Sequence, residues 1–263
     1  MIISCNDAEK QAILDYIGKD YGKCLYIYID LCKYGLDGNP NFHAWVQRDH
    51  DGNMTAVITE YYKGIQLYSR DGNLDAAEIS GFLSEKAPKI ILGIKETIDK
   101  IREFMPGYQE ELGTVGQVKQ LKYPVTPEAY SAGLDELKEI ASLVAEDEGI
   151  GKPYGFDSLY QQYKERKEEN FGRNYILRDP ATREIICHAG TYAELPELAV
   201  IGGVITAPKY RGKGYSKGTL SALCKKLLEE GKDVFSFYYI PSALHMHMGV
   251  GFQKIGTWAK LVK

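Results

Sequence analysis

The sequence predicts an α+β fold in which antiparallel strands are flanked by helices. Strand-like runs follow one another at FHAWVQR, MTAVITEYY and GIQLYSR, and again at NYILRD, IICHAGTYAE and LAVIGGVIT. Turn residues separate these runs, such as the Asp51-Gly52 pair, which favours a hairpin. Amphipathic helical patterns, such as GLDELKEIASLVAEDEG, lie before and after them. Together these three observations predict the fold class.

Length and composition limit the classes of function. With 263 residues, 44% of them hydrophobic, the chain can bury a sizeable core and suits two domains of ordinary size. The formal net charge of -4 argues against general electrostatic binding of nucleic acid or anionic lipid, so any anion site is local. No export signal precedes the first helical pattern, and no apolar run approaches the ~20 residues that span a bilayer. We therefore expect a cytoplasmic protein with no nucleic-acid or membrane partner.

The five cysteines are scattered along the chain and form no close pair at metal-ligand spacing. In a chain without an export signal, we expect them to be reduced and mostly buried. The sequence therefore predicts neither a disulfide framework nor a metal site.

Patterns in the first half predict a compact α+β unit. Its predicted elements are a helix over 7–18, a buried strand over 24–31 (CLYIYIDL), the three meander strands, a helix over 74–86, a strand at KIILG and a helix over 94–104. Two prolines in KYPVTPEAY, residues 122–130, disfavour a continuous helix. We place the boundary there, with one domain at 1–122 and a second at 123–263.

Patterns in the second half predict two helices, three antiparallel strands, a helix, a strand, a helix and a strand. The last four elements lie at SKGTLSALCKKLLEEG, DVFSFYYI, Ser242–Met248 and GFQKIGTWAKLV. The loop VITAPKYRGKGYSKG, residues 204–218, joins the third strand to the long helix. It is the part of the sequence that carries most chemical information.

Glycines and cations in this loop predict an anion site. Gly212 and Gly214 stand just before the helix, so its first backbone N–H groups are unpaired and no Cβ blocks a ligand. The helix dipole adds partial positive charge, and Arg211, Lys213 and Lys217 add whole charges. A phosphate or pyrophosphate is the natural occupant. A solvated, glycine-rich basic turn is the alternative interpretation.

Two familiar phosphate loops do not fit this stretch. No Gly-Lys-Ser/Thr triplet occurs at the spacing of a P-loop. The dinucleotide fingerprint requires a third glycine where Lys217 stands, and it requires a parallel βαβ unit, whereas the preceding strands are predicted to be antiparallel.

A third pattern fits. The run AVIGGVITAPKYRGKGYS resembles motif A of the GNAT superfamily of N-acetyltransferases, in which an Arg/Gln-x-x-Gly-x-Gly/Ala loop follows a bulged strand. Here the element runs from Arg211 to Ser216, with Ser in place of Gly or Ala. Downstream, LHMHMGVGFQKIGTW resembles the last helix and strand of that family. The resemblance covers about residues 125–263, and the first half is similar in layout to a degenerate GNAT domain without the loop, as in tandem members related to glycine N-acyltransferases.

This resemblance implies a mixed, mostly antiparallel central sheet flanked by helices, in two GNAT-like domains in tandem. It implies acetyl-CoA as cosubstrate, no metal, and direct attack of an amine on the acetyl carbonyl, which a backbone amide polarises. The CoA-binding residues that it implies, from the strand that pairs with pantetheine to the pyrophosphate loop and the next helix, are Val204, Ile205, Thr206, Arg211, Gly212, Lys213, Gly214, Tyr215, Ser216 and Ser242.

The position of the general base departs from the family's usual pattern. Many members of this branch have a Glu on the central strand, and Val200 stands at that position here. Glu194 and Glu197 lie just upstream, and Glu197 is the candidate we name. The alternative is that both glutamates belong to a solvated strand end.

The residue at the expected position of the general acid also differs from the family's usual one. Ile240 stands where the branch has an Asn, and His247 stands where it has the Tyr that protonates sulfur. A histidine can perform that step because its pKa lies near neutrality. The alternative is a histidine that packs on its helix and bonds locally. His188, on the strand before the CoA strand, is a further candidate.

Two functions follow from these features. The first is an N-acetyltransferase that acts on the primary amine of a small molecule or an amino-acid-like acceptor. The second is a catalytically impaired CoA-binding or acyl-CoA-binding sensor or scaffold, which Val200 and Ile240 make plausible. A homodimer is compatible with either function.

Overall fold

A computed structural model of the chain describes all 263 residues. Its contacts divide the chain into two compact units, the first formed by residues 1–114 with 255–263 and the second by residues 115–254. The last strand of the sequence is therefore counted with the first unit. The division into domains at 122–123 stays a prediction.

The first unit is an α+β unit built around a mixed sheet. Its elements are β1 (Ile2–Ser4), α1 (Lys10–Ile17), α2 (Tyr21–Tyr34), β2 (Phe42–Arg48), β3 (Met54–Tyr61), β4 (Gly64–Tyr68), α3 (Ala76–Lys86), β5 (Ile90–Ile94), α4 (Lys95–Arg102) and the start of β6 (Gln109–Val118). The strands follow the order β1-β2-β3-β4-β5, and the last strand of the chain, which runs through Trp258–Val262, pairs antiparallel with β5. Only β4 and β5 pair in parallel among β1 to β5.

The predicted meander is present, and the strand predicted over 24–31 is wrong. That stretch lies in α2, where Cys24, Ile27 and Leu31 pack in one core cluster at the spacing of a helix face. Leu25 and Ile29 are also buried, one helical turn apart. The two buried stripes together make the burial alternate from residue 25 to residue 31, which is the pattern that a strand would show.

The second unit contains the loop that the sequence analysis singled out. Its elements are the end of β6, β7 (Tyr130–Ser131), α5 (Leu137–Ala145), α6 (Phe156–Glu168), β8 (Asn174–Arg178), β9 (Ile185–Glu194), β10 (Leu198–Thr206), α7 (Tyr215–Glu229), β11 (Asp233–Tyr238) and α8 (Pro241–Val250), followed by β12 (Gln253–Val262). The strand order in this unit is β6-β11-β10-β9-β8-β7, with β10 and β11 parallel and β7 to β10 antiparallel. The predicted α+β class with a mixed, mostly antiparallel sheet is confirmed.

Strand β6 was not predicted from the sequence. In QEELGTVGQV the large buried apolar residues are Val115 and Val118 alone, so the stretch carries neither alternation nor a β-branched run. Its place beside β11 comes from tertiary pairing, to which Gln117 adds a hydrogen bond from its side-chain amide to the carboxylate of Asp233 at 2.9 Å.

Helices cover both faces of the sheet in the second unit. On one face α5 and α6 pack against Ile176 and Ile205, and on the other α7 and α8 pack against Ile201 and Val234. In neither unit does the structure contain a helix with the length and apolar character needed to cross a membrane.

Arg178, at the end of β8, ties α5 to this sheet. Its guanidinium donates to Glu136 at 2.9 Å and to Glu139 at 2.8 Å, and also to the carbonyl of Arg183 at 2.7 Å. The Arg178 side chain is only 10% exposed. Removing Glu136 and Glu139 would therefore leave its positive charge buried without a counter-ion.

We predict that Arg178→Ala lowers the free energy of unfolding by about 2–4 kcal/mol, because it leaves the Glu136 carboxylate without its counter-ion and the Arg183 carbonyl without this donor. Urea denaturation followed by circular dichroism measures the change. The control is Lys209→Ala, which removes an exposed ion pair with Glu184 and should leave the midpoint nearly unchanged. Equal shifts in both variants would contradict the structural role of Arg178.

Candidate functional site

The candidate site begins where two neighbouring strands separate. Strands β10 and β11 pair in parallel from Leu198–Asp233 to Ile201–Ser236, and the pairing ends there although both strands continue. On the other side of β10, the register against β9 shifts between Gly202 and Ile205. Gly203 lies in this bulge with φ of 64°, a conformation that favours glycine.

Backbone groups of β10 face the opening between the strands. The N–H of Ala207 donates to the carbonyl of Ile186 on β9 at 2.9 Å. By the alternation of a strand, Val204 and Thr206 direct their N–H and C=O groups to the other side, where pairing with β11 has ended. The Thr206 carbonyl accepts a hydrogen bond from Arg211 Nε at 3.1 Å on that side. An extended ligand could therefore pair with Val204 and the N–H of Thr206.

The loop after β10 presents a row of unpaired amides. Gly212 and Gly214 have φ of 80° and 82°. The N–H groups of residues 212–216 donate to no protein atom, whereas those of Lys217 and Gly218 donate to the Gly214 carbonyl. These amides belong to the loop and first turn of α7, where the helix dipole is positive. The arrangement is suited to an anion with several oxygens.

A cavity of about 440 Å³ lies against this row of amides. It is lined by β10, the loop, the segment between α5 and α6, and the start of α8; the lining residues are Asp147, Gly149, Ile150, Val204, Ile205, Thr206, Tyr210, Arg211, Gly212, Gly214, Tyr215, Ser216, Ile240, Ser242, Ala243 and Met246. Nine of the ten predicted CoA-binding residues are in this set, and the tenth, Lys213, is exposed beside it. Their assignment to CoA stays a prediction.

Asp147 is a site residue that sequence reasoning missed. Its Oδ1 accepts hydrogen bonds from the amides of Gly149 at 3.0 Å and Ile150 at 3.1 Å. Its Oδ2 lies 3.4 Å from Arg211 Nη2, so it links the segment after α5 to the amide loop. The only signal in the sequence is the Asp-Glu-Gly-Ile-Gly run after the helix, which predicts a turn and not a site.

His247 does not line the cavity. It is 4% exposed, its Nδ1 lies 2.8 Å from the carbonyl of Ala243, and its Nε2 lies 2.9 Å from the hydroxyl of Ser236. Burial lowers its pKa to about 4, so the ring is neutral at pH 7. The Nδ1–H therefore donates to the carbonyl, Nε2 accepts from Ser236, and the side chain connects α8 to β11. A role in protonating sulfur stays a prediction, and these contacts do not support it.

His188 is also buried away from the cavity surface. It has no exposed surface, its Nδ1 lies 2.7 Å from the carbonyl of Gly203, and its Nε2 lies 2.8 Å from the side chain of Asn174. Burial lowers its pKa to about 4 as well. The structure thus brings His188 to the bulge of β10, although it does not bring the ring to the cavity.

Glu197 lies far from the cavity. It immediately precedes β10, and its carbonyl accepts from the N–H of Asp233 at 2.8 Å. Val204 is the first residue of β10 that lines the cavity, and it lies seven positions beyond Glu197, which corresponds to ~20 Å of strand. Glu194 is buried, and its carboxylate pairs with Arg173 at 2.6 Å. The structure does not bring either glutamate to the site, so the role of Glu197 as a base stays a prediction without geometric support.

Metal ligands are not grouped anywhere in the structure: no three His, Cys, Asp or Glu side chains come together in a way that could hold an ion. The five cysteines are all free thiols, and three of them are buried.

The two buried histidines predict a pH dependence of stability. Both have a pKa near 4 when folded and near 6.5 when unfolded, so between these values the unfolded chain binds more protons. The free energy of unfolding should therefore fall as pH falls from 6.5 to 4, with up to ~1.4 kcal/mol per pH unit from each histidine.

Urea denaturation at several pH values measures this slope. In His247→Gln the slope should be smaller than in the wild type, whereas His50→Gln, which changes an exposed histidine, should keep it. If His247→Gln kept the full slope, His247 would not be held neutral in the folded protein.

The chain resembles known proteins in its three-dimensional structure rather than in its sequence. No protein-family model and no curated protein sequence matches it. Solved structures match along nearly the whole chain, including a GNAT-family acetyltransferase from Colwellia psychrerythraea, with a TM-score of 0.64 at 14% identity over 100% of this chain and 99% of that chain. A GCN5-related N-acetyltransferase from Sphaerobacter thermophilus has a TM-score of 0.64 at 15% identity, over 100% of this chain and 95% of that chain.

A tandem GNAT protein from the clavulanic acid biosynthesis pathway also matches, with a TM-score of 0.62 at 11% identity over 100% of this chain and 98% of that chain. Identities this low show a shared fold and do not identify a substrate. The GNAT resemblance that the loop carried is confirmed at the level of fold, and it extends to the first half of the chain. This protein has, over its whole length, the fold of the GNAT acetyltransferases, a tandem GNAT protein among them.

Proposed function

We propose that the protein is an N-acetyltransferase that moves the acetyl group of acetyl-CoA to the primary amine of a small or amino-acid-like molecule. The observation that carries the proposal is the row of five amides, residues 212–216, without a protein acceptor beside a cavity of about 440 Å³. Unpaired amides at a helix start form a ready site for a diphosphate.

The charges around the row suit the same ligand. Arg211, Lys213 and Lys217 place three cations at the start of α7, while the chain as a whole is acidic. A local positive site in an acidic protein selects a specific anion and does not bind polyanions in general. The 3'-phosphate and diphosphate of CoA fit this pattern.

The rest of the CoA molecule would follow β10 into the opening between β10 and β11. The amide groups of Val204 and Thr206 face this opening, so a pantetheine arm could pair with them as an added strand. The thioester would then lie near the bulge at Gly203. The acceptor nitrogen attacks the acetyl carbon, a C–N bond forms, the C–S bond breaks, and the thiolate of CoA takes up a proton while the nitrogen loses one.

The polar side chains at the cavity leave the base unassigned. No histidine lines the cavity, and its one carboxylate, Asp147, already accepts two amide hydrogen bonds and faces Arg211. This observation favours a second candidate, a CoA-binding or acyl-CoA-binding sensor without efficient catalysis. The two candidates share the ligand and differ in turnover.

Turnover separates these two candidates. Incubation with acetyl-CoA and a panel of primary amines, with free thiol followed over time, should give release that depends on the acceptor and saturates with it. Thiol release that is absent, or equal with and without acceptor, would support the sensor instead. Calorimetry with CoA on the same sample establishes whether CoA binds at all.

Gly212→Ala tests the amide row. The new Cβ meets no atom within 4 Å, but a φ of 80° is unfavourable for alanine, so the loop should relax and its amides should turn away from a common point. We expect CoA to bind at least ~10-fold more weakly, the scale of losing paired donors, while pantetheine, which lacks the diphosphate, is unaffected.

Gly231→Ala is the matched control. Gly231 follows the other end of α7, has φ of 78°, and also has open space around its missing Cβ. Both substitutions should therefore cost similar stability, and only Gly212→Ala should weaken CoA. Gly214 is less suitable, because its Cβ would lie 2.7 Å from the hydroxyl of Tyr123. Equal CoA affinities in the two alanine variants would place the diphosphate elsewhere.

A further inference from the structure

We propose that His188 is a positioning residue: its ring holds the carbonyl of Gly203 so that the N–H of Val204 points into the opening between β10 and β11. There the N–H would receive the carbonyl oxygen of the bound thioester. This inference rests on the proposed function, because it assigns the orientation of one peptide at the same site.

The direction of the Val204 amide follows from the contact that its peptide makes on the other side. The chain contains no cis peptide bond, so the C=O of Gly203 and the N–H of Val204 point in opposite directions. The Gly203 carbonyl lies 2.7 Å from His188 Nδ1, on the face of the sheet where the ring packs near Tyr163 of α6. The Val204 N–H therefore points away from β9 and α6, toward the cleft.

The bulge explains why a side chain is needed to hold the peptide between Gly203 and Val204 in one orientation. Gly202 pairs with Gly190 and Ile205 pairs with His188, so Gly203 and Val204 have no partner in the backbone ladder with β9. Pairing with β11 has ended at Ile201. A peptide that follows glycine and lacks ladder hydrogen bonds can rotate at little cost. The imidazole supplies the hydrogen bond that the ladder omits.

The surroundings of the ring determine which nitrogen carries the proton. Burial lowers the pKa of His188 to about 4, so the ring is neutral and has one N–H. The Gly203 carbonyl can only accept, so that hydrogen is on Nδ1. The Asn174 atom placed 2.8 Å from Nε2 is Oδ1, and because an unprotonated Nε2 cannot donate, we assign the Asn174 amide in the flipped orientation, with its NH₂ toward Nε2. Asn174, on β8, is 3% exposed, so in this orientation no water competes for its bond to the ring. A Cβ on Gly190 would lie 3.2 Å from Nε2, so the glycine leaves room for the ring.

Two substitutions of His188 separate positioning from simple support of the fold. In His188→Asn the side-chain NH₂ takes the place of Nδ1 and can still donate to Gly203, whereas His188→Leu fills similar space and donates nothing. Both lose the bond to Asn174. We expect His188→Leu to lower kcat by 10- to 100-fold with KM for acetyl-CoA within threefold, because the diphosphate loop is intact. His188→Asn should recover most of kcat.

The control for lost stability is Ile140→Ala, which leaves a cavity in the core under α5. It should lower Tm without changing kcat at temperatures well below Tm. Equal kcat values for His188→Leu and His188→Asn, or a kcat of His188→Leu within threefold of the wild type, would overturn the proposal.

The amide resonance of Val204 in a ¹⁵N spectrum tests the proposal without turnover. It should move in His188→Leu and stay near its wild-type position in His188→Asn. A resonance that is the same in all three proteins would overturn the role of His188. If the wild type releases no thiol with any amine, the proposed function fails, and this resonance still decides whether His188 orients the peptide.

Discussion

The end of hydrogen bonding between β10 and β11 is the constraint on which the candidate site depends. In parallel strands the carboxyl ends lie at one edge of the sheet, and the helices that follow begin there with positive ends of their dipoles. Because pairing stops at Ile201–Ser236, this edge opens into a cleft between the two strands. The amide loop before α7 and the start of α8 then converge on the same cavity. A fully paired β10 would have no N–H groups to offer a ligand.

The bulge in β10 is the second part of this constraint. It reverses the alternation of the strand, so that Ile201 and Val204 pack with α7 while Ile205 packs with α5 and α6. Two glycines make it possible: Gly203 has positive φ, and a Cβ on Gly202 would lie 2.1 Å from the ring of Tyr192. The strand therefore presents main-chain groups to the cleft next to Gly203.

Polar side chains of the second unit hold this backbone in place. His188 joins β8, β9 and the bulge of β10, and His247 joins α8 to Ser236 on β11. Asp147 closes the turn after α5 and faces Arg211. Each of these side chains already makes its hydrogen bonds to other atoms of the protein. This suits a supporting role better than proton transfer. The chemistry at the cavity is thus dominated by amides of the main chain.

The sequence by itself determined the order of most elements and the position of the amide loop, because helical periodicity, turn residues and glycines before a helix are recorded in neighbouring residues. It did not determine that α2 is a helix, since two interleaved buried stripes imitate a strand, or that β6 exists, since its pairing is with strands distant along the chain. The histidines show the same limit. Resemblance to the GNAT family placed His247 near the cleft, and strand alternation placed His188 there. Only the tertiary structure decided that their nitrogens face Ser236, Ala243, Asn174 and Gly203, because burial and hydrogen-bond partners depend on residues that are remote in sequence.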